Sequence, residues 1–163
     1  MRKLTLIRHA KSSWEHDVID HERPLNSRGY KDAVLVSSYL SQTNDLKFDK
    51  ILSSDAVRAR TTANIFMDNF RIDKERIELK YKLYDFSGND LVEVIKNCDD
   101  EMQNLLIFGH NHAITAFVNT YGNDYINNVP TCGVVTIEFD IHSWNELNKG
   151  KTIRKLFPRD LKG

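Results

Sequence analysis

The four residues Leu105-Leu106-Ile107-Phe108 are apolar without alternation and run directly into Gly109-His110. A strand with one face in water alternates apolar and polar side chains, whereas an unbroken apolar run reads as a strand covered on both faces. Leu4–Ile7 and Phe48–Leu52 read as further strands, less uniformly apolar. Helix-period segments separate them. Asn26–Ser27 is a cap for a helix to about Leu40, with Ala33, Val34, Val36 and Leu40 near one face. Ser54–Asp55 reads as the cap of a second helix through Phe70. Arg76–Tyr84 reads as extended, Leu91–Lys96 as a short helix and Ala113–Tyr121 as a longer one. Val134–Asp140 and Thr152–Phe157 read as a closing antiparallel pair, joined through a turn containing Gly150. This alternation predicts a three-layer α/β/α sandwich with a mostly parallel sheet, formed as one domain over residues 1–163.

Charge narrows the function. Lysine plus arginine equals aspartate plus glutamate at 23 each, so the formal net charge is zero. A general nucleic-acid binder carries a basic excess, so nucleic acid is not an expected partner and any basic site is local. Cys98 and Cys132 form no CxxC and read as unpaired thiols of a reducing compartment. The apolar run after Met1-Arg2-Lys3 is too short for a signal peptide and is broken by Arg8. No stretch approaches the roughly 20 apolar residues of a membrane span. The expectation is a cytoplasmic protein with no membrane partner.

In parallel α/β sheets, ligands bind outside the carboxyl ends of the strands. Arg8 and His9 follow the first apolar run, Ser53, Ser54 and Arg58 the second, and Gly109 and His110 the third. Any one of these reads as an ordinary solvated strand end. Two arginines and two histidines converging on one rim from three stretches do not. Arginine forks match phosphate oxygens, and helix amides after Ser54 and His110 add further donors. A neutral imidazole beside such a clamp can attack phosphorus and carry the phosphoryl group until water removes it.

The stretch "LIRHAKSSW" resembles the opening signature of the histidine phosphatase superfamily, which has the phosphoglycerate mutase-like fold. Arg-His-Ala-Lys-Ser, in place of the usual Arg-His-Gly, is similar to the small branch of SixA-type phosphohistidine phosphatases. "RPLNSRG" at Arg23–Gly29, "SSDAVRARTTA" at Ser53–Ala63, "GHNHAI" at Gly109–Ile114 and "FPRDLK" at Phe157–Lys162 agree in order. The resemblance implies His9 as the phospho-accepting nucleophile, Arg8 and Arg58 as the phosphate clamp, and His110 as the second histidine on the transferring group. It implies Arg23 as a further basic group at the pocket; the plain alternative is a salt bridge to Asp20 or Glu22. Larger relatives take a leaving-group proton donor from a Leu-x-Glu context. Leu83-Tyr84-Asp85 is the nearest match here, so Asp85 is the candidate acid and a cap ahead of Gly88 its alternative.

His112 stands where the family has proline and reads as an exposed helix-cap residue or a pocket lining. Trp14 reads as a substrate-contact aromatic or as packing at the core edge. A zinc site from His9, His110, His112 and Asp85 is disfavoured, because Arg8 and Arg58 would repel a cation; no metal or other cofactor is expected. The chain thus reads as a phosphatase releasing inorganic phosphate. Its expected partner is a phosphorylated protein such as a phosphotransfer domain. A small phosphorylated metabolite is the alternative substrate, and a non-catalytic phosphohistidine-binding module the alternative class.

Overall fold

Unbroken apolar strands need cover on two faces, and the chain supplies it with helices on both sides of one six-stranded sheet. The computed structural model describes residues 1–43 and 46–162. The strands are β1 (Arg2–Arg8), β2 (Lys50–Ser54), β3 (Ile77–Lys80), β4 (Asn104–Gly109), β5 (Val134–Phe139) and β6 (Lys151–Leu156). Their spatial order is β3-β2-β4-β1-β5-β6. The first four in that order are parallel, and β5 and β6 close the sheet antiparallel. The helices are α1 (Ser27–Leu40), α2 (Val57–Phe70), α3 (Asn89–Lys96), α4 (Ala113–Tyr121) and α5 (Pro158–Leu161).

The period of two divides β4 between two cores. Leu105 and Ile107 join Leu4, Leu6, Ile114 and Phe117 under α3 and α4. Leu106 and Phe108 join Ile7, Val36, Phe66 and Met67 under α1 and α2. Helix α1, which leaves β1, therefore lies on one face of the sheet, and α4, which leaves β4, lies on the other. Between the carboxyl ends of these two neighbouring strands the connections diverge, which opens a crevice there.

Several boundaries differ from the sequence reading for physical reasons. Strand β2 runs to Ser54, and Ala56 is the residue that precedes α2. Ser54 Oγ instead accepts the Ala56 N–H at 3.2 Å, so this hydroxyl turns the chain without capping the helix. The extended segment expected to Tyr84 ends at Lys80 and tightens into a single turn over Tyr81–Leu83. Asn26 does cap α1, its side chain accepting from the Gly29 N–H at 2.8 Å. The antiparallel pair forms with Gly150 in its connection, where the Gly150 N–H donates to the Tyr121 carbonyl at 2.7 Å.

Helix α1 also presses against the loop that follows β1. A Cβ on Gly29 would stand 2.1 Å from the Lys11 carbonyl oxygen. Gly29→Ala is therefore expected to destabilise the protein by about 1–3 kcal/mol, as overpacking does. Urea unfolding measures it, and an unchanged midpoint would show that the loop yields instead.

Candidate active site

Arg8, the last residue of β1, is in register with Gly109, the last residue of β4. The next residues, His9 and His110, therefore leave two adjacent parallel strands side by side, with ring centroids 5.2 Å apart. Both rings are buried, at 6% and 1% exposure. The His9 N–H donates to the Gly109 carbonyl at 3.0 Å, and the Cys132 N–H is shared by the Arg8 and His9 carbonyls. The backbone around the histidine pair is thus tied from both sides.

The tautomer of His9 follows from its partners. Nδ1 lies 2.7 Å from the Ala10 carbonyl oxygen, which can only accept, so Nδ1 carries the hydrogen. Nε2 is left with its lone pair, toward which Arg58 Nε–H points at 3.3 Å. Burial, reinforced by Arg58, Arg8 and Arg23 and opposed by the Ala10 hydrogen bond, lowers the His9 pKa to about 3. His9 is a neutral, oriented base at ordinary pH. His110 is pushed down to about 2 by burial and then by His9 and Arg58. Its Nε2 is 2.8 Å from Ser54 Oγ, while its Nδ1 is buried with no protein partner. The rings of Phe86 and Tyr84 wall it in, with centroids 5.1 and 5.3 Å away.

Three arginines surround the pair. Arg58, in the first turn of α2, is 3% exposed and directs Nη1 and Nη2 to the Asp20 carbonyl and carboxylate at 2.7 and 3.0 Å. Arg23 reaches the other Asp20 oxygen at 2.9 Å, the Ser13 carbonyl at 3.1 Å and Ser12 Oγ. Arg8 gives Nη1 to the Val129 carbonyl at 2.9 Å, and its Nε is buried with no partner. Burial, with Arg58 nearby, lowers the Arg8 pKa. These side chains line one cleft with Trp14, Phe86 and Asn111 at its mouth. Trp14 is 76% exposed and stacks on Arg23, the guanidinium carbon 3.3 Å from the ring centroid.

The structure therefore brings together His9, Arg8, Arg58, His110 and Arg23. Arg23 fills both of the roles weighed for it, as a cleft residue and as a salt bridge to Asp20. Asp85 stands apart, which corrects its reading as the leaving-group acid. One of its oxygens accepts from the Ser87 N–H and Oγ–H, the other from the Gly88, Asp90 and Leu91 N–H groups, all within 3.0–3.1 Å. It caps α3, and no oxygen is spare to hand on a proton. His112 precedes α4 and is exposed, and its side chain makes no capping bond. Among the described residues no group of three or more His, Cys, Asp or Glu is arranged to hold a metal ion.

Sequence reasoning weighed Asp20 only as a partner for Arg23, and it is the anchor of Arg58 as well. Burial opposes ionisation of Asp20, but hydrogen bonds from Tyr84, Arg58 and Arg23 hold its carboxyl well below the usual range. The i,i+3 spacing to Arg23 is legible in the chain, whereas the contact to Arg58 spans 38 residues. Thr62 was also missed. Its hydroxyl donates to the Arg58 carbonyl at 2.7 Å and accepts the Ala10 N–H at 3.0 Å.

The two neutral imidazoles have a consequence for stability. In the unfolded chain each histidine returns to a value near 6.5. Between that value and about 3 the unfolded chain takes up protons that the folded chain refuses, so stability falls as pH drops below about 6.5. His110→Asn removes one of the two groups. In urea unfolding, this variant is expected to lose less stability than the parent between about pH 7 and about pH 4. An equal loss would mean that His110 titrates in the fold as it does in water.

Residues 4–97 match the model of the histidine phosphatase superfamily (branch 1). An uncharacterized protein of Mycobacterium tuberculosis is 30% identical over 155 residues, which cover 88% of this chain and 93% of that protein. The SixA protein of Agrobacterium tumefaciens, provisionally named a phosphohistidine phosphatase, superposes with a TM-score of 0.80 at 26% identity, covering 96% of this chain and 98% of that one. A protein histidine phosphatase SixA complexed with tungstate superposes at 0.82 with 17% identity, covering 98% and 99% of the two chains, and shares the fold. The mixed sheet is the phosphoglycerate mutase-like α/β fold of those structures, and with more than half of its length matching the family model, the chain belongs to the histidine phosphatase superfamily, in the SixA-like group.

Proposed function

We propose that this chain, acting as one catalytic domain over residues 1–163, removes the phosphoryl group from phosphohistidine in a protein by passing it through Nε2 of His9. The observation that carries the reading is the fixed tautomer of His9, with Nδ1–H on the Ala10 carbonyl and the Nε2 lone pair facing Arg58. In the first step Nε2 bonds to phosphorus as the P–N bond of the substrate breaks, and the departing imidazole nitrogen keeps the electron pair and takes a proton from solvent water. Water then attacks the same phosphorus, the P–Nε2 bond breaks, and inorganic phosphate leaves with the protons of that water. Arg8 Nε and, with its hydrogen on Nδ1, His110 are unpartnered donors, and Arg58 Nε becomes a third as it gives up the His9 lone pair to phosphorus; the three suit the three equatorial oxygens.

The choice of a P–N bond rests on what the cleft lacks. An alkyl ester expels a strongly basic alkoxide and needs a positioned acid, whereas an imidazole leaving group is protonated readily. Asp85 is spent on α3, and Asp20, the one acid among the described cleft residues, is held ionised by its partners. Trp14 and Phe86 at the mouth are 76% and 45% exposed, which leaves the cleft open to a protein surface. Among the described residues no helix is long and apolar enough to cross a membrane, and Cys98 and Cys132 are unpaired, which supports the cytoplasm as its compartment.

The test is turnover of a phosphohistidine-bearing phosphotransfer domain beside a panel of alkyl phosphate esters. His9→Ala should fall to the blank, and the phosphodomain should be preferred. Comparable turnover of an alkyl ester would point to a small phosphorylated metabolite and refute the P–N choice. Activity is expected to survive a chelator such as EDTA, and its loss would return a metal to the mechanism.

A further inference from the structure

Arg58 is the one clamp residue whose guanidinium touches His9, yet nothing in α2 holds its far end. Asp20 does, from the short turn Asp20–Glu22. Its main-chain carbonyl takes Nη1 and its carboxylate takes Nη2, so the plane of the guanidinium is set by two contacts to one residue. The same carboxylate accepts from Arg23 on its second oxygen and from the Tyr84 hydroxyl on its first. One negative charge thus joins two arginines that would otherwise repel each other across the cleft.

We propose that Asp20 is the positioning residue of this site: it sets the direction of Arg58 Nε toward His9 and couples Arg58 to Arg23, while keeping a negative charge beside the phosphoryl group. The proposal rests on the phosphoryl-carrying role of His9 given above. It separates two quantities that usually move together. Orientation of Arg58 serves the transition state, where the equatorial oxygens are placed around a phosphorus in flight. The carboxylate itself opposes every bound anion, substrate and product alike. Without Asp20, chemistry slows while anions are held no more weakly.

The experiment compares Asp20→Asn with the parent on p-nitrophenyl phosphate, whose leaving group needs no acid, with inorganic phosphate as inhibitor. Asparagine keeps the size and the main-chain carbonyl but offers one accepting oxygen for two arginines. The expected result is a fall in kcat of about fivefold or more with no rise in the inhibition constant of phosphate. A smaller fall in kcat overturns the proposal. So does a rise in the inhibition constant in step with the loss of kcat, which would mean a cleft loosened as a whole. Tyr84→Phe removes the third donor to Asp20 and leaves both arginine contacts, so its fall in kcat should be smaller than that of Asp20→Asn. A loss as large as that of Asp20→Asn would show a merely structural cluster. A parent that turns over neither the aryl ester nor a phosphohistidine-bearing domain would instead refute the role of His9, and the Asp20 proposal with it.

Discussion

Everything in the cleft depends on how β1 pairs with β4. The two strands are parallel and in a register that sets Arg8 opposite Gly109, so the residues that follow emerge next to each other. Side chains alternate along a strand, and a slip of one residue would turn each histidine away from its neighbour. What prevents the slip is the core. Leu4, Leu6, Leu105 and Ile107 are packed on one side of the same strands, and Ile7, Leu106 and Phe108 on the other, all of them fully buried. A displaced register would exchange those two sets between faces that have different helices on them. The stability of the sheet and the geometry of the histidine pair are therefore one constraint.

The second constraint is electrostatic. Arg8, Arg23 and Arg58 share a cleft with His9, whose ring adjoins that of His110, an arrangement that repels itself if every group is charged. The protein relieves the repulsion in two ways. Burial and the neighbouring guanidinium groups keep both histidines neutral, and Asp20 supplies a fixed negative charge between Arg58 and Arg23. What remains is a net positive cleft with an unpartnered N–H on Arg8 and an unpartnered ring nitrogen on His110, which suits a dianion. The burial that keeps His9 neutral well below pH 7 also disfavours the charge on Arg8, which is retained because a guanidinium starts from so high a pKa.

How legible the site was in the sequence follows from the range of each interaction. Strand ends and the residues after them are local features, so Arg8, His9, Arg58 and His110 could be placed from apolar runs alone. Arg23 and Asp85 needed tertiary information. Whether a carboxylate is a proton donor or a cap depends on which amides face it, and the Asp85 oxygens meet those of Gly88, Asp90 and Leu91 only once α3 has formed. The Asp20–Arg58 contact joins a turn to a helix across the cleft, and nothing in either segment announces the other. Helix α2 was misjudged at its start for a related reason. Ser54 looks like a capping residue, but its hydroxyl is engaged by the Ala56 N–H and by His110.

The block Arg23–Gly29 shows why a family-like stretch need not be all chemistry. Only Arg23 reaches the cleft. Leu25 bridges to Ser12, the Asn26 N–H donates to the Lys11 carbonyl at 3.0 Å, and Gly29 gives that carbonyl room. These residues hold the chain just after His9. Thr62 holds it from the other side, accepting the Ala10 N–H while donating to the Arg58 carbonyl. The Ala10 carbonyl, which fixes the hydrogen on His9 Nδ1, thus belongs to a peptide segment pinned by α1 and α2 together. A lone pair held in one direction requires a ring held by one acceptor, and an acceptor held by a rigid main chain. The segment from Arg23 to Gly29 supplies much of that rigidity, so it supports the chain around His9 as well as placing Arg23 in the cleft.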